Sequence, residues 1–104
     1  MYVFNADGTM QQANPDAGNA SRSDSDAKGV WTKRNGHIVG KWVEITADRA
    51  THQYSGRGEL SFDIVVDGDR LKGQGSFVGF DPEGKIVVGP VSAPFTGTRV
   101  TLPK

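Results

Sequence analysis

The chain has 104 residues, of which 36% are hydrophobic and 23% charged, with 12 basic and 12 acidic side chains that leave no formal net charge. This length holds one domain, 1–104, with one core, and the lack of a basic field argues against a nucleic-acid partner. There is no cysteine, so disulfides and thiolate metal centres are excluded, and no run of about 18 apolar residues is present to span a membrane as a helix, so no membrane partner is expected.

Met1-Tyr2-Val3-Phe4-Asn5 has neither the basic start nor the long apolar stretch of a secretory signal. The chain is therefore expected to be cytoplasmic if complete, and secreted or periplasmic if a signal has been removed. Strands are predicted over 2–6 and 9–14, separated by Asp7-Gly8. Residues 15–28 contain no large apolar side chain and read as a long polar loop. Strands over 29–35 and 37–47 flank Asn35-Gly36, a dipeptide suited to the positive φ angles of a two-residue hairpin.

After a shorter connection, 48–56, the segment 57–66 gives the clearest period of two. Leu60, Phe62, Ile64 and Val66 fall on one face, and Glu59, Ser61 and Asp63 on the other. A turn at Asp67-Gly68-Asp69 leads to a strand over 70–80. Its apolar face carries Leu71, Gly73, Gly75, Phe77 and Gly79. Asp81-Pro82-Glu83-Gly84 suits a type I turn, and the final segment, 85–101, places Val87, Gly89, Val91, Ala93, Phe95 and Gly97 on one face. Pro90 and Pro94 cannot donate to a ladder, which marks this segment as an edge or a bulged strand. No segment sustains a 3.6-residue apolar period. The predicted fold is therefore an all-β antiparallel meander barrel of about seven or eight strands, without substantial helix. Glycines on the inward face fit a sheet coiling into a barrel, and they also leave room for a ligand.

Gly29-Val30-Trp31, with Gly97-Thr98-Arg99 near the end, resembles the calycins. So does the wider pattern of Phe4-Asn5-Ala6-Asp7-Gly8-Thr9, Leu71-Lys72-Gly73 and Asp81-Pro82-Glu83-Gly84. That pattern is similar to small bacterial lipocalin-like proteins of uncharacterised function. The resemblance implies a barrel in which Arg99 packs over the ring of Trp31, or of Trp42, and closes one end. In lipocalins the Gly-x-Trp strand opens the fold, whereas here two strands precede it. An opening strand that is missing would leave an edge for a second copy to cover, so a homodimer is the expected assembly.

Catalytic signals are weak. His37 and His52 have no metal-ligand spacing, and no metal or cofactor is expected. Glu44 shares its phase with Trp42. If that face is inward, Glu44 is a buried carboxylate with a raised pKa. The larger apolar set, Val39, Val43 and Ile45, predicts the reverse, with Glu44 in water. Three functions follow from the barrel. The first is a binding module that holds a small apolar molecule against Trp42, Phe62, Phe77, Val91 and Phe95. The second is an enzyme of isomerase, cyclase or lyase type using Glu44, Tyr54 or His52. The third is a solidly packed structural barrel.

Overall fold

A computed structural model describes residues 1–16 and 19–103. Those residues form nine strands and no helix: β1 (Tyr2–Phe4), β2 (Thr9–Gln12), β3 (Arg22–Asp24), β4 (Ala27–Arg34), β5 (His37–Asp48), β6 (Tyr54–Asp67), β7 (Arg70–Phe80), β8 (Ile86–Ser92) and β9 (Phe95–Thr98). All pairings are antiparallel, in the order β1-β2-β4-β5-β6-β7-β8. β3 extends the line of β4 along β5, and β9 extends that of β8 along β7. The sheet curls into a half-barrel, and the outer edges of its first and last strands are not paired with each other.

Turn chemistry fixes the register. Asn35 and Gly36 both take positive φ, 53° and 78°, as a type I′ hairpin between β4 and β5 requires. Gly68, at φ 61°, opens the two-residue turn between β6 and β7. At 81–85 the Gly84 N–H donates to the Asp81 carbonyl at 3.0 Å, and Gly84 takes φ 85°. A type I turn followed by a left-handed residue is the usual three-residue hairpin.

Curling places alternate residues of every strand on one concave face. One transverse row runs Met10, Gly29, Trp42, Leu60, Phe77 and Val91. The core is Met10, Ala27, Trp42, Leu60, Phe62 and Ile64, each less than a tenth exposed. The faces assigned to 57–64 and to 71–79 are those observed. Val66, expected on the same face, is 42% exposed.

The inward glycines seat aromatic rings. A Cβ on Gly40 would lie 2.5 Å from the Phe62 ring, and one on Gly73 would lie 2.2 Å from the ring of Phe95. The rings therefore rest on backbone and occupy the space that the glycines vacate. Tyr2 joins the two ends of the sheet through aromatic contact. Its ring centroid lies 5.6 Å from that of Phe95 on β9 and 5.9 Å from that of Phe62 on β6. Trp42 donates its Nε1–H to the Tyr2 hydroxyl at 3.0 Å, so the buried indole is satisfied across the same contact.

Four expectations are corrected. The 15–28 segment is not wholly loop, since it contains β3 and the start of β4; Ala17 and Gly18 lie outside the described residues. Strand β6 starts at Tyr54, inside the expected connection. The expected strand over 85–101 is broken at Ala93-Pro94, and a bulge at Gly89, φ 84°, turns Val88 inward and leaves Val87 54% exposed. Finally, Val43 and Ile45 lie on the outer face, 37% and 58% exposed, while Glu44 is buried.

Two stability measurements check this packing. Phe62→Ala is expected to cost about 3–5 kcal/mol in chemical denaturation. Gly73→Ala should destabilise strongly by itself, but should cost far less in a Phe95→Ala background because the clash is with that ring. Additive costs would show that the ring does not rest on the glycine.

Candidate functional site

Two concavities stand out among the described residues. The larger, about 820 Å³, is an open groove on the outer face beside His37, Asp63, Val65, Lys72 and Thr96. Its titratable groups are solvated: the His37 Nδ1 to Asp63 Oδ1 contact, at 2.5 Å, joins side chains 44% and 54% exposed. Such a pair is worth little in free energy. The smaller, about 380 Å³, lies on the concave face at one end of the half-barrel. It holds the one charged residue of the described chain that is buried, Glu44, at 6% exposure.

The mouth is built by register. Glu44 pairs with Gly58, Gly58 with Gly79, and Gly79 with Val88. On the other side, the Ser25 N–H donates to the Ile45 carbonyl at 2.9 Å, and Asp26 bulges out. The bulge brings Ala27 opposite Glu44, with Gln12 paired beyond it. The row is thus small in its middle and polar towards β2. Phe77, one row deeper, closes the floor: a Cβ on Gly58 would meet its ring at 2.7 Å and Glu44 Oε1 at 2.8 Å. Thr46 and Ser55, joined hydroxyl to hydroxyl at 3.0 Å, lie one row nearer solvent, as does Asp24, the partner of Thr46 in β3.

The polar chain that follows β2 caps this mouth. Asn14 donates Nδ2–H to Glu44 Oε2 at 2.9 Å. The Asn14 side-chain oxygen in turn accepts from the Asp16 N–H, and the Asp16 carboxylate accepts from the Asp24 N–H and from Arg49. Burial is the main cause that pushes the Glu44 pKa up, the nearby Asp24 charge adds to it, and the Asn14 hydrogen bond opposes it. By contrast, Glu59 on the outer face is held below the usual carboxylate range by Lys41 and Arg57.

The residues singled out from sequence are dispersed. Phe77 and Glu44 line the mouth. Phe62 and Trp42 are buried in the core, and Phe95 packs against it. Val91 pairs with Phe77 but, on an edge strand, is 49% exposed. Tyr54 is 52% exposed and His52 is exposed in the 49–53 connection, and neither lines the mouth. Arg99 does not pack as the calycin resemblance implied. It is 61% exposed, with Nε 3.7 Å from Asp69 Oδ1. Trp31 is half-buried against Phe4 and donates Nε1–H to the Asn5 carbonyl. Among the described residues the cation over an aromatic ring is Arg57, 4.1 Å from the Phe80 centroid. Gln12 and Asn14 are not legible as site residues in the sequence, because single polar residues beside a polar loop carry no periodic signal.

No family model, no curated protein and no solved structure matches the chain.

Glu44 should leave a pH signature on stability. Its folded-state pKa lies above the unfolded one, so the folded chain binds this proton more tightly, and stability falls as pH rises through that window. Glu44→Gln keeps an oxygen for Asn14 and removes the buried charge. The variant is expected to have a higher denaturant midpoint than the parent at neutral pH, with the gap closing below the ordinary carboxylate range. A gap that does not vary with pH would contradict a buried, titrating Glu44.

Proposed function

We propose that this chain is a small-molecule binding module whose ligand sits in the mouth of the half-barrel, with its apolar body against Phe77 and Val88 and a polar group at Glu44. The observation that carries this reading is a buried carboxylate facing a concavity of about 380 Å³, with a ring and an aliphatic side chain beside it. Ligand sites pair a mainly apolar lining with a few placed polar groups. Deeper seats are taken by the protein's own rings on Gly40 and Gly73, which favours the mouth over the centre of the half-barrel. The binding expected of lipocalin-like barrels is kept in this proposal, and its position moves towards one end.

A second reading, catalysis in the same mouth with Glu44 as general acid or base, is favoured by the direction of the Glu44 pKa. Binding is the better supported, since neither other catalytic candidate, His52 or Tyr54, lines the mouth.

Amide-detected NMR against a fragment library tests the proposal. Saturable shifts are expected to cluster at Thr46, Gly58, Phe77, Gly79 and Val88, and Val88→Trp, which fills the mouth from an edge strand, should abolish them while the protein stays folded. Saturable shifts centred on His37 and Thr96, or none at all, would overturn the mouth as the site.

A further inference from the structure

The mouth has an excess of hydrogen-bond acceptors. Glu44 makes one side-chain hydrogen bond among the described residues, from Asn14 to Oε2, and Oε1 is left beside Gly58 and the Phe77 ring. Gln12 Oε1, on β2 across from Ala27, is buried without a partner, but Gln12 is not part of the lining of the mouth. Asp24 lines the mouth with its carboxylate, and no cation lies within ion-pair distance of Asp24 or Glu44 among the described residues. Two guanidinium groups are nearby. Both line the concavity: Arg57 has its guanidinium engaged by Glu59 and over the Phe80 ring, and Arg22, two residues from Asp24 on β3, makes no ion pair among the described residues.

Buried acceptors are costly to leave unpaired, and a buried carboxylate more so. The group that answers several acceptors at once is one that only donates. An ammonium has three N–H donors and no acceptor, and carries the charge that offsets a carboxylate. The neighbouring Phe77 ring and Val88 side chain suit an organic substituent, and a strongly hydrated metal ion gains nothing from them. Resting on the binding reading above, we propose that the ligand is a small organic amine, bound as its ammonium between Glu44 and Asp24 with an aromatic or aliphatic tail on Phe77 and Val88. Arg22 in the same lining leaves room for an acidic group elsewhere on that amine.

Calorimetric and NMR titrations of the full chain at pH 8 with 2-phenylethylamine, 2-phenylethanol and phenylacetate test the proposal, because the three share a ring and differ in the head group. The amine is expected to bind roughly tenfold or more tightly than the alcohol, the difference that one charge-assisted hydrogen bond makes, with phenylacetate weakest. Glu44→Gln and, separately, Asp24→Asn should each lower the ratio of amine to alcohol affinity. Acidification through the Glu44 titration should weaken the amine alone. Alcohol or phenylacetate binding at the mouth as tightly as the amine would overturn the ammonium assignment and leave the binding reading standing. Ca2+ binding at Glu44 in preference to the amine would likewise overturn it. If none of the three compounds saturates the mouth, both readings fail together.

Discussion

Aromatic rings lying directly on glycine backbone hold this sheet in its curl. A strand residue with a Cβ keeps a facing side chain at a distance, and a sheet so lined stays open. At Gly40 and Gly73 that spacer is missing, and the rings of Phe62 and Phe95 drop onto the chain itself. The concave face is drawn in until Tyr2, on the first strand, reaches Phe95 on the last. Among the described residues no ladder closes the seam. The ends are joined by ring contact and by the indole hydrogen bond from Trp42 to Tyr2, so the half-barrel depends on side-chain packing where a closed barrel would use backbone pairing.

The same constraint decides where a site can form. Rings fill the rows through Phe62 and Phe95. In the row nearest the polar loop, Ala27, Gly58 and Gly79 are small, and the large residue that leans in, Phe77, comes from the row below. A concavity remains there, and Glu44 faces it. The polar segment after β2 then becomes structural. Asn14 holds the carboxylate, Asp16 ties Asn14 to Arg49 and Asp24, and the bulge at Asp26 sets Ala27 opposite Glu44.

Much of the fold was legible in the sequence. Alternation in 57–64, the Asn35-Gly36 and Asp67-Gly68 turns and the Asp-Pro-x-Gly turn are local signals, and local chemistry governs them. The face of β5 was not legible in the same way. Val39, Val43 and Ile45 outnumber their alternates, yet the inner face is set by what opposes it across the ladder, and Gly40, Trp42 and Glu44 meet Phe62, Leu60 and Gly58. Hydrophobic patterning compares residues within a strand, whereas ring-on-glycine packing compares residues on neighbouring strands. For the same reason the glycines read as empty space when they are seats. The bulge at Gly89 moved Val88 inward in place of Val87, a one-residue shift that alternation cannot locate. Glu44 itself was visible as a residue in phase with Trp42. Its hydrogen-bond partner Asn14 and the nearby Asp24 charge are single polar residues that alternation does not mark.

The site depends on a carboxylate, Glu44, buried at the mouth of a curled sheet. The most direct measurement is an NMR titration of the Glu44 side-chain carboxyl carbon in the intact chain, with Asp24→Asn alongside. The structure requires a titration midpoint above the ordinary glutamate value, moving down when the Asp24 charge is removed. A midpoint at the ordinary value, unmoved by Asp24→Asn, would place Glu44 in solvent and contradict the inward face of β5 on which the site is built.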